Sequence, residues 1–296
     1  MTIAIVGAGP AGLISATLLA ARGVDITLID ENPAAGGHLT YDKYEIGAGE
    51  AVSIGWLAEL QSLLETSGTV FLESAIAWAA FPADGGFELA INHAGVEHSV
   101  HADQLVVAVG TTDLPMIAPG ATLPGLMTSR AIRNLINRHG VIPGKRFVVV
   151  GGGSEADRMQ RELELVECEV TAVLGPEEVV AIVGEGGVES VRARDGVSHL
   201  ADVVVVAISE VPDLQLAGML EIAREYDPQL RGWRVAPGSD AYGVYVTGGA
   251  LMGSATPADV VRSAVAVADR ICPAGAGLRE AGLVISAEVL GTEAVR

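Results

Sequence analysis

Apolar runs and glycine turns alternate at the start of the chain in an order that predicts a βαβ unit. A short apolar run at 2–6 precedes GAGPAG, and a stretch with apolar residues at helical spacing then ends at Gly23. A second apolar run, VDITLID, completes the unit as a strand. Two parallel strands joined by a helix therefore open the chain.

The same order returns in the middle of the chain. RFVVV, GGGSEA, DRMQRELELVE and CEVTAVL repeat strand, glycine turn, helix and strand, and Gly151 follows Gly7 by 144 residues. Two apolar runs at 105–110 and 202–209 occupy matching places after each unit. The repetition predicts an α/β protein built from a duplicated βαβ domain.

The other elements are predicted from shorter patterns. We expect helices at 51–67, at 129–140 with Thr128 or Ser129 as cap, and at 257–271. Three short strands are expected within 69–101, with a turn at 84–86, and another strand at 242–249. The Pro- and Gly-rich stretch 111–126 predicts a linker.

The first glycine turn has the spacing that binds a dinucleotide. Gly7 permits the tight turn, Gly9 lets the backbone approach a pyrophosphate, and Gly12 lets helix and strand pack closely. Asp30 ends the second strand, where a carboxylate accepts hydrogen bonds from a ribose. The alternative is a glycine turn in an ordinary α/β fold. The residues predicted to line this site are Gly7, Gly9, Pro10, Ala11, Gly12, Asp30 and Glu31.

The second glycine turn is less complete. Gly151 and Gly153 keep their places, but Gly175 stands where an acid would meet a ribose, and no Arg replaces it. Glu155 and a second acid at the helix start are expected to repel phosphate. Two interpretations stay open: the turn binds NAD(P) or another adenine nucleotide in an altered way, or it is purely structural.

Charge and composition exclude several classes of protein. A net charge of −19 repels nucleic acid and anionic membranes, and no apolar run is long enough to span a bilayer. No secretory signal precedes the first strand, so we expect a cytoplasmic protein. The local basic cluster is interpreted either as a solvated helix face or as a patch for an acidic partner or phosphate. Its members are Arg130, Arg133, Arg138, Lys145 and Arg146.

The histidines and cysteines predict neither a metal site nor dithiol chemistry. His93, His98 and His101 lie close together, but in a polar stretch expected to be an exposed hairpin. Cys168 and Cys272 are far apart and form no CxxC pair or cluster motif. We identify no catalytic nucleophile or base, because in hydride and electron transfer the cofactor carries the chemistry.

Taken together, these segments resemble the flavoproteins with two dinucleotide-binding domains, the pyridine nucleotide–disulfide oxidoreductase superfamily. The segments, which span the chain, are GAGPAG with Asp30; ENPAAGGH with Gly36, Gly37 and His38; LVVAVGTTDLP with Gly110 and Thr111; and YGVYVTGG with Gly248 and Gly249. The resemblance implies FAD in the first domain and adds these later residues to the predicted cofactor site. The superfamily usually has Gly-Asp at the closing strand, whereas Gly249 follows Gly248 here, so FAD or NAD in the first site stays open.

A narrower resemblance concerns APGATLPGLMTSRAIRNLINRHGVIPGKRFVVVGGG and EYDPQLRGWRVAPGSDAYGVYVTGG. These stretches are similar to the α-type subunits of sarcosine oxidase, hydrogen cyanide synthase, opine oxidase and dye-linked proline dehydrogenase complexes. That similarity implies that the chain has a larger flavin-containing partner, a small iron–sulfur protein as partner, or both.

We therefore expect two Rossmann-like dinucleotide-binding domains, the second inserted into the first. Residues 1–112 and 233–296 are predicted to form the first domain, and 113–232 the NAD(P)-type domain. The expected function is FAD-dependent electron transfer within a multi-subunit amine or amino-acid dehydrogenase or oxidase. The alternatives are a stand-alone NAD(P)H-dependent flavin reductase and a non-catalytic nucleotide-binding scaffold. The apolar stretch LAGML, 216–220, is compatible with a buried interface, including one in a homo-oligomer.

Overall fold

The protein divides into two compact units. A computed structural model describes residues 1–41, 49–236, 243–253, 255–273 and 277. The first unit combines Met1–Thr112 with Val211–Arg296, and the second is Asp113–Glu210. Each unit is built around its own parallel sheet.

Strands and helices are numbered separately in chain order. The strands are β1 (Thr2–Val6), β2 (Asp25–Ile29), β3 (Val70–Leu72), β4 (Ala75–Ala83), β5 (Gly86–His93), β6 (Val96–Ala102), β7 (Gln104–Val107), β8 (Thr111–Asp113), β9 (Leu126–Thr128), β10 (Arg146–Gly151), β11 (Glu169–Leu174), β12 (Val179–Val183), β13 (Ser190–Ala193), β14 (Ser198–Leu200), β15 (Val203–Ala207), β16 (Glu210–Pro212), β17 (Arg224–Asp227), β18 (Gly232–Val235) and β19 (Val244–Val246). The helices are α1 (Pro10–Ala21), α2 (Gly49–Thr66), α3 (Ser129–Arg133), α4 (Gly153–Leu165), α5 (Gln215–Met219), α6 (Gly249–Met252) and α7 (Pro257–Ile271).

The first unit contains a five-stranded parallel sheet in the order β19-β7-β1-β2-β3. Alternate residues of β1 face opposite sides, so Ile3 and Ile5 join a core formed with the helices α1, α2 and α7. Ala4 and Val6 face the antiparallel sheet β4-β5-β6. Both faces are covered, which explains the continuous apolar runs in the sequence.

The second unit repeats this plan. Its parallel sheet has the order β11-β10-β15-β9. Phe147 and Val149 of β10 pack with the helices α3 and α4, while Val148 and Val150 pack towards the antiparallel sheet β12-β13-β14. The predicted α/β duplication is therefore visible in both the sheets and the layers that cover them.

The position of the second boundary differs from the prediction. The first unit resumes at Val211 rather than at 233. Leu216, Leu220 and Ile222 are buried in its core beside the β4-β5-β6 sheet. The stretch 216–220 is thus a core helix of the first unit rather than an exposed apolar loop, although Met219 remains half exposed.

Several short elements also differ from the prediction. The segment 69–102 forms four strands, because β3 joins the parallel sheet and only β4, β5 and β6 form the antiparallel one. The expected helix at 129–140 begins at Ser129 with Thr128 as its cap, but continues as a π-helical turn, Asn134–Arg138. The helix α7 has the predicted bounds.

No described helix is both long and apolar enough to cross a membrane.

Candidate functional site

The first glycine turn connects β1 to α1 in a conformation that needs its glycines. Gly7 has a φ of +103°, and a Cβ there would overlap the Ala108 carbonyl oxygen. A Cβ at Gly12 would overlap the Gly7 carbonyl oxygen. A Cβ at Gly9 would meet no atom within 4 Å. The first and third glycines are therefore required for packing, whereas the second leaves open space before the helix N-terminus.

Asp30 follows β2 and is held firmly against this turn. Its Oδ2 accepts from the Ala8 N–H at 2.5 Å, and its Oδ1 accepts from the Asn32 N–H at 2.8 Å and Nδ2 at 3.0 Å. Only 8% of Asp30 is exposed, whereas Glu31 is exposed. Since a carboxylate accepts about four hydrogen bonds, Asp30 keeps about one position for a ligand.

The Gly36–Gly37 segment lies directly on the first glycine turn. The Gly36 N–H donates to the Ala8 carbonyl at 2.8 Å, and a Cβ at Gly37 would lie 2.9 Å from the Gly9 Cα. Both glycines have positive φ, +133° and +55°. The exposed His38 follows and lies in a short 3₁₀ turn. Close approach to the Gly9 backbone explains the glycine at position 37, whereas a Cβ at Gly36 would overlap the Leu57 side chain.

The turn after β19 reaches the same edge of the sheet. A Cβ at Gly248 would lie 2.6 Å from the Ala11 Cβ, and one at Gly249 would lie 2.8 Å from the Thr111 Cγ2. Gly110 lies against Gly249 as well, since its Cα is 3.4 Å from the place of a Cβ on Gly249. The short helix α6 begins at Gly249, beside the N-terminal end of α1. This arrangement brings the fourth predicted segment next to the first.

Ser263 of α7 was missed by the sequence analysis. Its Oγ accepts from the Gly248 N–H and from the Thr247 hydroxyl, both at 3.0 Å, and donates to the Val260 carbonyl at 2.9 Å. The first turn of α7 is closed by a capping box between Thr256 and Asp259. The contact with Gly248 thus comes from the second turn of α7 rather than from its N-terminus, and only the helical period marks Ser263 as inward-facing.

The four segments that contain the predicted residues of the first site meet at the carboxyl edge of the first sheet. The site is formed by backbone, small side chains and one helix N-terminus with no acid in its first turn. These groups fit the pyrophosphate and ribose of a dinucleotide, because they leave room for the phosphates and offer N–H donors to them. Their individual contacts with a cofactor stay predictions. The residues concerned are Gly7, Gly9, Pro10, Ala11, Gly12, Asp30, Glu31, Gly36, Gly37, His38, Gly110, Thr111, Gly248 and Gly249.

The second glycine turn, between β10 and α4, has the same packing constraint. A Cβ at Gly151 would overlap the Ala207 carbonyl oxygen, just as Gly7 approaches Ala108. Gly153 has a φ of +65°, and a Cβ there would meet no atom within 4 Å. Ala156, at the third position, is buried. The open space at Gly153 fits a phosphate at the N-terminus of this 13-residue helix.

A buried ion-pair cluster stabilises α4 behind this turn. Arg133 is 4% exposed and pairs with Glu155 at 2.6 Å and with Glu162 at 3.0 Å. Glu162 also accepts from Arg158 at 2.7 Å. Burial raises the pKa of the Glu162 carboxyl, although both arginines act in the opposite direction. Because Arg133 pairs with Glu155, this acid opposes phosphate less than its position in the sequence indicates.

An acid that the sequence analysis did not assign lies at the end of β11. A Cβ at Gly175 would run into the Glu177 carboxyl group, with Cδ at 2.9 Å and Oε2 at 3.1 Å. The 3₁₀ turn Pro176–Glu178 produces this placement, and the Gly175 N–H donates to Glu178 Oε2 at 2.5 Å. Residue 175 is a glycine as predicted, and the structure adds that the Glu177 carboxyl group lies beside it. The signal in the sequence is the Pro-Glu-Glu turn itself.

Most arginines of the basic cluster form ion pairs with carboxylates of the second unit. Arg130 lies 3.7 Å from Asp113 and 3.4 Å from Glu210, and Arg146 pairs with Asp202 at 2.6 Å. With Arg133 also paired, three of the five cations serve internal contacts. The interpretation as a solvated helix face is therefore wrong for Arg133, which is buried, and the internal pairs speak against a patch for an acidic partner or phosphate.

The cysteines and histidines form no reactive group in the described part of the chain. Cys168 belongs to the second unit and Cys272 to the first, and burial raises the pKa of the Cys168 thiol. The His93 and His98 rings are 6.4 Å apart on β5 and β6. Among the described residues, no three His, Cys, Asp or Glu side chains are grouped to hold a metal ion.

Comparison with known proteins agrees with this geometry. Two glycine turns on duplicated parallel sheets define a protein with two dinucleotide-binding folds. Residues 1–180 match the family described as pyridine nucleotide-disulphide oxidoreductase. The chain belongs to this family: it is an oxidoreductase with the family's cofactors, FAD and NAD(P).

The chain is also similar to components of two oxidases. It is 31% identical over 153 residues to an opine oxidase subunit of Rhizobium meliloti (strain 1021), covering 50% of this chain and 33% of that one. It is 24% identical over 198 residues to the alpha subunit of sarcosine oxidase of the same organism, covering 64% of this chain and 20% of that one. The match therefore spans about a third or less of these relatives.

The fold is shared with a solved structure, L-proline dehydrogenase from P. horikoshii. The TM-score is 0.79 at 22% identity, and the match covers 99% of this chain and 58% of that one. The predicted fold class of two Rossmann-like domains is confirmed.

Proposed function

We propose that this chain is the electron-transferring flavoprotein component of a multi-subunit dehydrogenase or oxidase that acts on the CH–NH bonds of amines or amino acids. FAD binds at the first glycine turn, and a nicotinamide dinucleotide binds at the second. A partner subunit supplies the amine-oxidising pocket.

The observation that carries this proposal is the convergence of four glycine-rich segments on one sheet edge. The GAGPAG turn, Gly36–Gly37, Gly110–Thr111 and Gly248–Gly249 approach one another so closely that a Cβ on Gly37, Gly248 or Gly249 would lie within 3 Å of a neighbouring segment. A surface made of backbone matches a long, flat cofactor better than a small polar substrate. It also explains why the site offers no nucleophile–base pair.

The substrate class is supported by the relatives. Opine oxidase and sarcosine oxidase are named for compounds with CH–NH bonds, and both relatives are subunits of larger enzymes. The superfamily usually has an acid at the place of Gly249. The α-type subunits that the sequence resembles also lack this acid. These features favour a component of such a complex, whose amine pocket lies on another chain.

The chain's own residues bind and orient rather than react. Backbone N–H groups at the start of α1 and α4 hold pyrophosphates, and Asp30, fixed by Ala8 and Asn32, meets a ribose hydroxyl. When bound, FAD and NAD(P) supply two-electron transfer, in which a hydride carries two electrons and one proton.

The first experiment is gentle purification, a visible absorption spectrum and identification of the released nucleotide by mass. We expect a flavin spectrum and FAD. Gly9→Val fills the open space before α1 and should abolish FAD retention, whereas Gly186→Val, also in open space but on the β12–β13 loop, should retain it. A colourless protein that releases NAD would overturn the assignment of FAD. If it also copurified with a larger subunit, a scaffold would be indicated.

A second candidate is a stand-alone NAD(P)H-dependent flavin reductase without redox cysteines. It is favoured by Glu177, which supplies the strand-end acid that residue 175 lacks. The two functions differ in what the isolated chain does. A monomer that oxidises NADH with an artificial electron acceptor at rates of about 10 s⁻¹ would favour the reductase. Turnover of an amine only after addition of the partner subunit would favour the complex.

A further inference from the structure

Gly175 and Asp30 occupy equivalent places in the two units. In the first sheet Val6 is level with Ile29, so the next residues, Gly7 and Asp30, lie at the same carboxyl edge. In the second sheet Val150 is level with Leu174, which places Gly151 beside Gly175. The position that governs the adenosine ribose in a dinucleotide fold is therefore residue 175 in the second unit.

The Glu177 carboxyl group fills the volume that a side chain at 175 would occupy. Its Cδ and Oε2 lie 2.9 and 3.1 Å from the place of a Cβ on Gly175. The turn that carries it is fixed from both ends, since Glu178 N–H donates to the Gly175 carbonyl at 2.9 Å and Glu178 Oε2 accepts from Gly175 N–H. The acid missing at 175 is thus supplied two residues later.

The two strand-end acids differ in their freedom to bind a ligand. Asp30 accepts three hydrogen bonds from Ala8 and Asn32. The Glu177 side chain is exposed, and within the described residues its carboxylate accepts none. The nearby Arg194 directs its Nε to the Glu177 main-chain carbonyl at 3.1 Å rather than to the carboxylate. All acceptor positions of Glu177 are therefore available.

We propose that Glu177 makes the second site select NAD(H) against NADP(H). This inference rests on the proposed nicotinamide dinucleotide site. A carboxylate at this place accepts hydrogen bonds from the 2′- and 3′-hydroxyls of NAD(H). In NADP(H) the 2′-hydroxyl is replaced by a phosphate, whose charge is repelled by Glu177 and by Glu178 beside it. Residue 177 thus determines specificity by attraction of one ligand and repulsion of the other.

The test is equilibrium titration of the purified full-length protein with NADH and with NADPH, followed by nicotinamide fluorescence. We expect NADH to bind at least about tenfold more tightly, the ratio that corresponds to one hydrogen bond to a charged group. Glu177→Gln should weaken NADH binding about tenfold and leave NADPH binding the same or tighter. Glu177→Arg should bring the two affinities together or reverse them. Glu185→Gln, an exposed acid on the β12–β13 loop of the same unit, is the matched control and should change neither.

The outcomes separate this inference from the proposed function. Equal affinities for NADH and NADPH in the wild type, or affinities unaffected by Glu177→Gln, would overturn the role of Glu177 while leaving the nicotinamide site in place. Tighter binding of NADPH would overturn it too. If neither dinucleotide bound although the variants melted at the wild-type temperature, the proposed second site itself would fail, and the inference with it.

Discussion

The two glycine turns share their packing and differ in their polar chemistry. In both, the first glycine lies against a carbonyl of the neighbouring strand, Ala108 in one unit and Ala207 in the other. The second glycine of each, Gly9 or Gly153, has open space before it. The first glycine turn leads into α1, whose N-terminal residues carry no acid, and its strand-end acid, Asp30, is held by hydrogen bonds. The second glycine turn leads into α4, which is held by the buried Arg133–Glu162 pair, and its strand-end acid, Glu177, accepts no hydrogen bond among the described residues. The two units therefore share the close packing of the first glycine, and they differ in the charged groups that a bound nucleotide would contact.

The similarity extends to the opposite edge of each sheet. Asp103, just before β7, accepts from the Thr2 N–H at 2.7 Å at the start of β1. Asp202, just before β15, accepts from the Arg146 N–H at 3.0 Å at the start of β10. Only Asp202 adds a guanidinium, since Arg146 Nη2 donates to its Oδ1 at 2.6 Å. The same carboxylate clamp is therefore present twice, with a stronger version in the second unit.

The largest expected effect concerns the third position of the two turns. Gly12→Ala forces a Cβ onto the Gly7 carbonyl, and a backbone atom cannot move aside. We therefore expect the free energy of unfolding to fall by at least about 3 kcal/mol and the protein to lose its FAD. Ala156→Gly, the reverse exchange at the equivalent position, should cost about 1 kcal/mol, from helix propensity. Urea unfolding and flavin content measure both. Equal costs would contradict the structure, in which a Cβ at the third position clashes in the first turn and is accommodated in the second.

The next effect compares a buried ion pair on α4 with an exposed ion pair on α7. Arg133→Ala leaves Glu162, 5% exposed, with only one of its two cationic partners, so we expect a loss of about 3 kcal/mol. Arg262→Ala removes an exposed partner of Asp259 in the first unit and should cost under about 0.5 kcal/mol. Both are measured by urea unfolding. The double variant Arg133→Met, Glu162→Leu should regain most of the loss, since both deeply buried charges are removed together and the residues that lose a partner, Glu155 and Arg158, are partly exposed. A double variant as unstable as the single one would contradict this account.

The smallest effect compares the two carboxylate clamps through their pH dependence. Hydrogen bonds from Arg146, led by its side chain, lower the pKa of Asp202 to about 2, and the Thr2 backbone N–H lowers the pKa of Asp103. A depressed carboxyl pKa stabilises the folded state above the unfolded-state pKa and loses this contribution as the pH falls through the folded-state value. Asp202→Asn should therefore lower the melting temperature at about pH 7 more than Asp103→Asn does.

The melting temperature of each variant should approach that of the wild type as the pH falls from about 4 towards 2. Thermal melts over this range measure it. A destabilisation by Asp202→Asn that stayed constant down to about pH 2 would assign its effect to the neutral hydrogen bonds alone.

The regular parts of the fold could be predicted because local pattern and tertiary structure agree there. The strand β1 and the helix α7 have the predicted bounds, since a buried parallel strand is a continuous apolar run and α7 has one apolar face behind a Thr-Pro start. Short polar strands such as β14, SHL, carry no such signal. The domain boundary failed for a related reason: α5 is only five residues long, and its burial depends on the sheet that it covers.

The first site could be predicted almost completely, and the second only in part. Gly7, Gly9 and Gly12 are fixed by spacing within one βαβ unit, and their requirement is local. Glu177 could not be assigned by counting residues from Gly151, because a 3₁₀ turn returns it to the strand end. Ser263 is likewise defined by the packing of α7 on Gly248, which no local spacing records.

The position in the chain of one edge strand of each parallel sheet, β19 in the first and β9 in the second, has a consequence for synthesis on the ribosome. β9 comes first in its unit and β15 last, so the second unit is complete once residue 210 has emerged. In the first unit β7 pairs with β19, which is translated much later. The edge of β7 that faces β19 therefore stays unpaired while the second unit and the residues after it are translated. Domains fold as units when their chain is available, so the inserted unit is expected to be native before the unit that contains the N-terminus. Until then the nascent first sheet has an open apolar edge, the feature on which holding chaperones act.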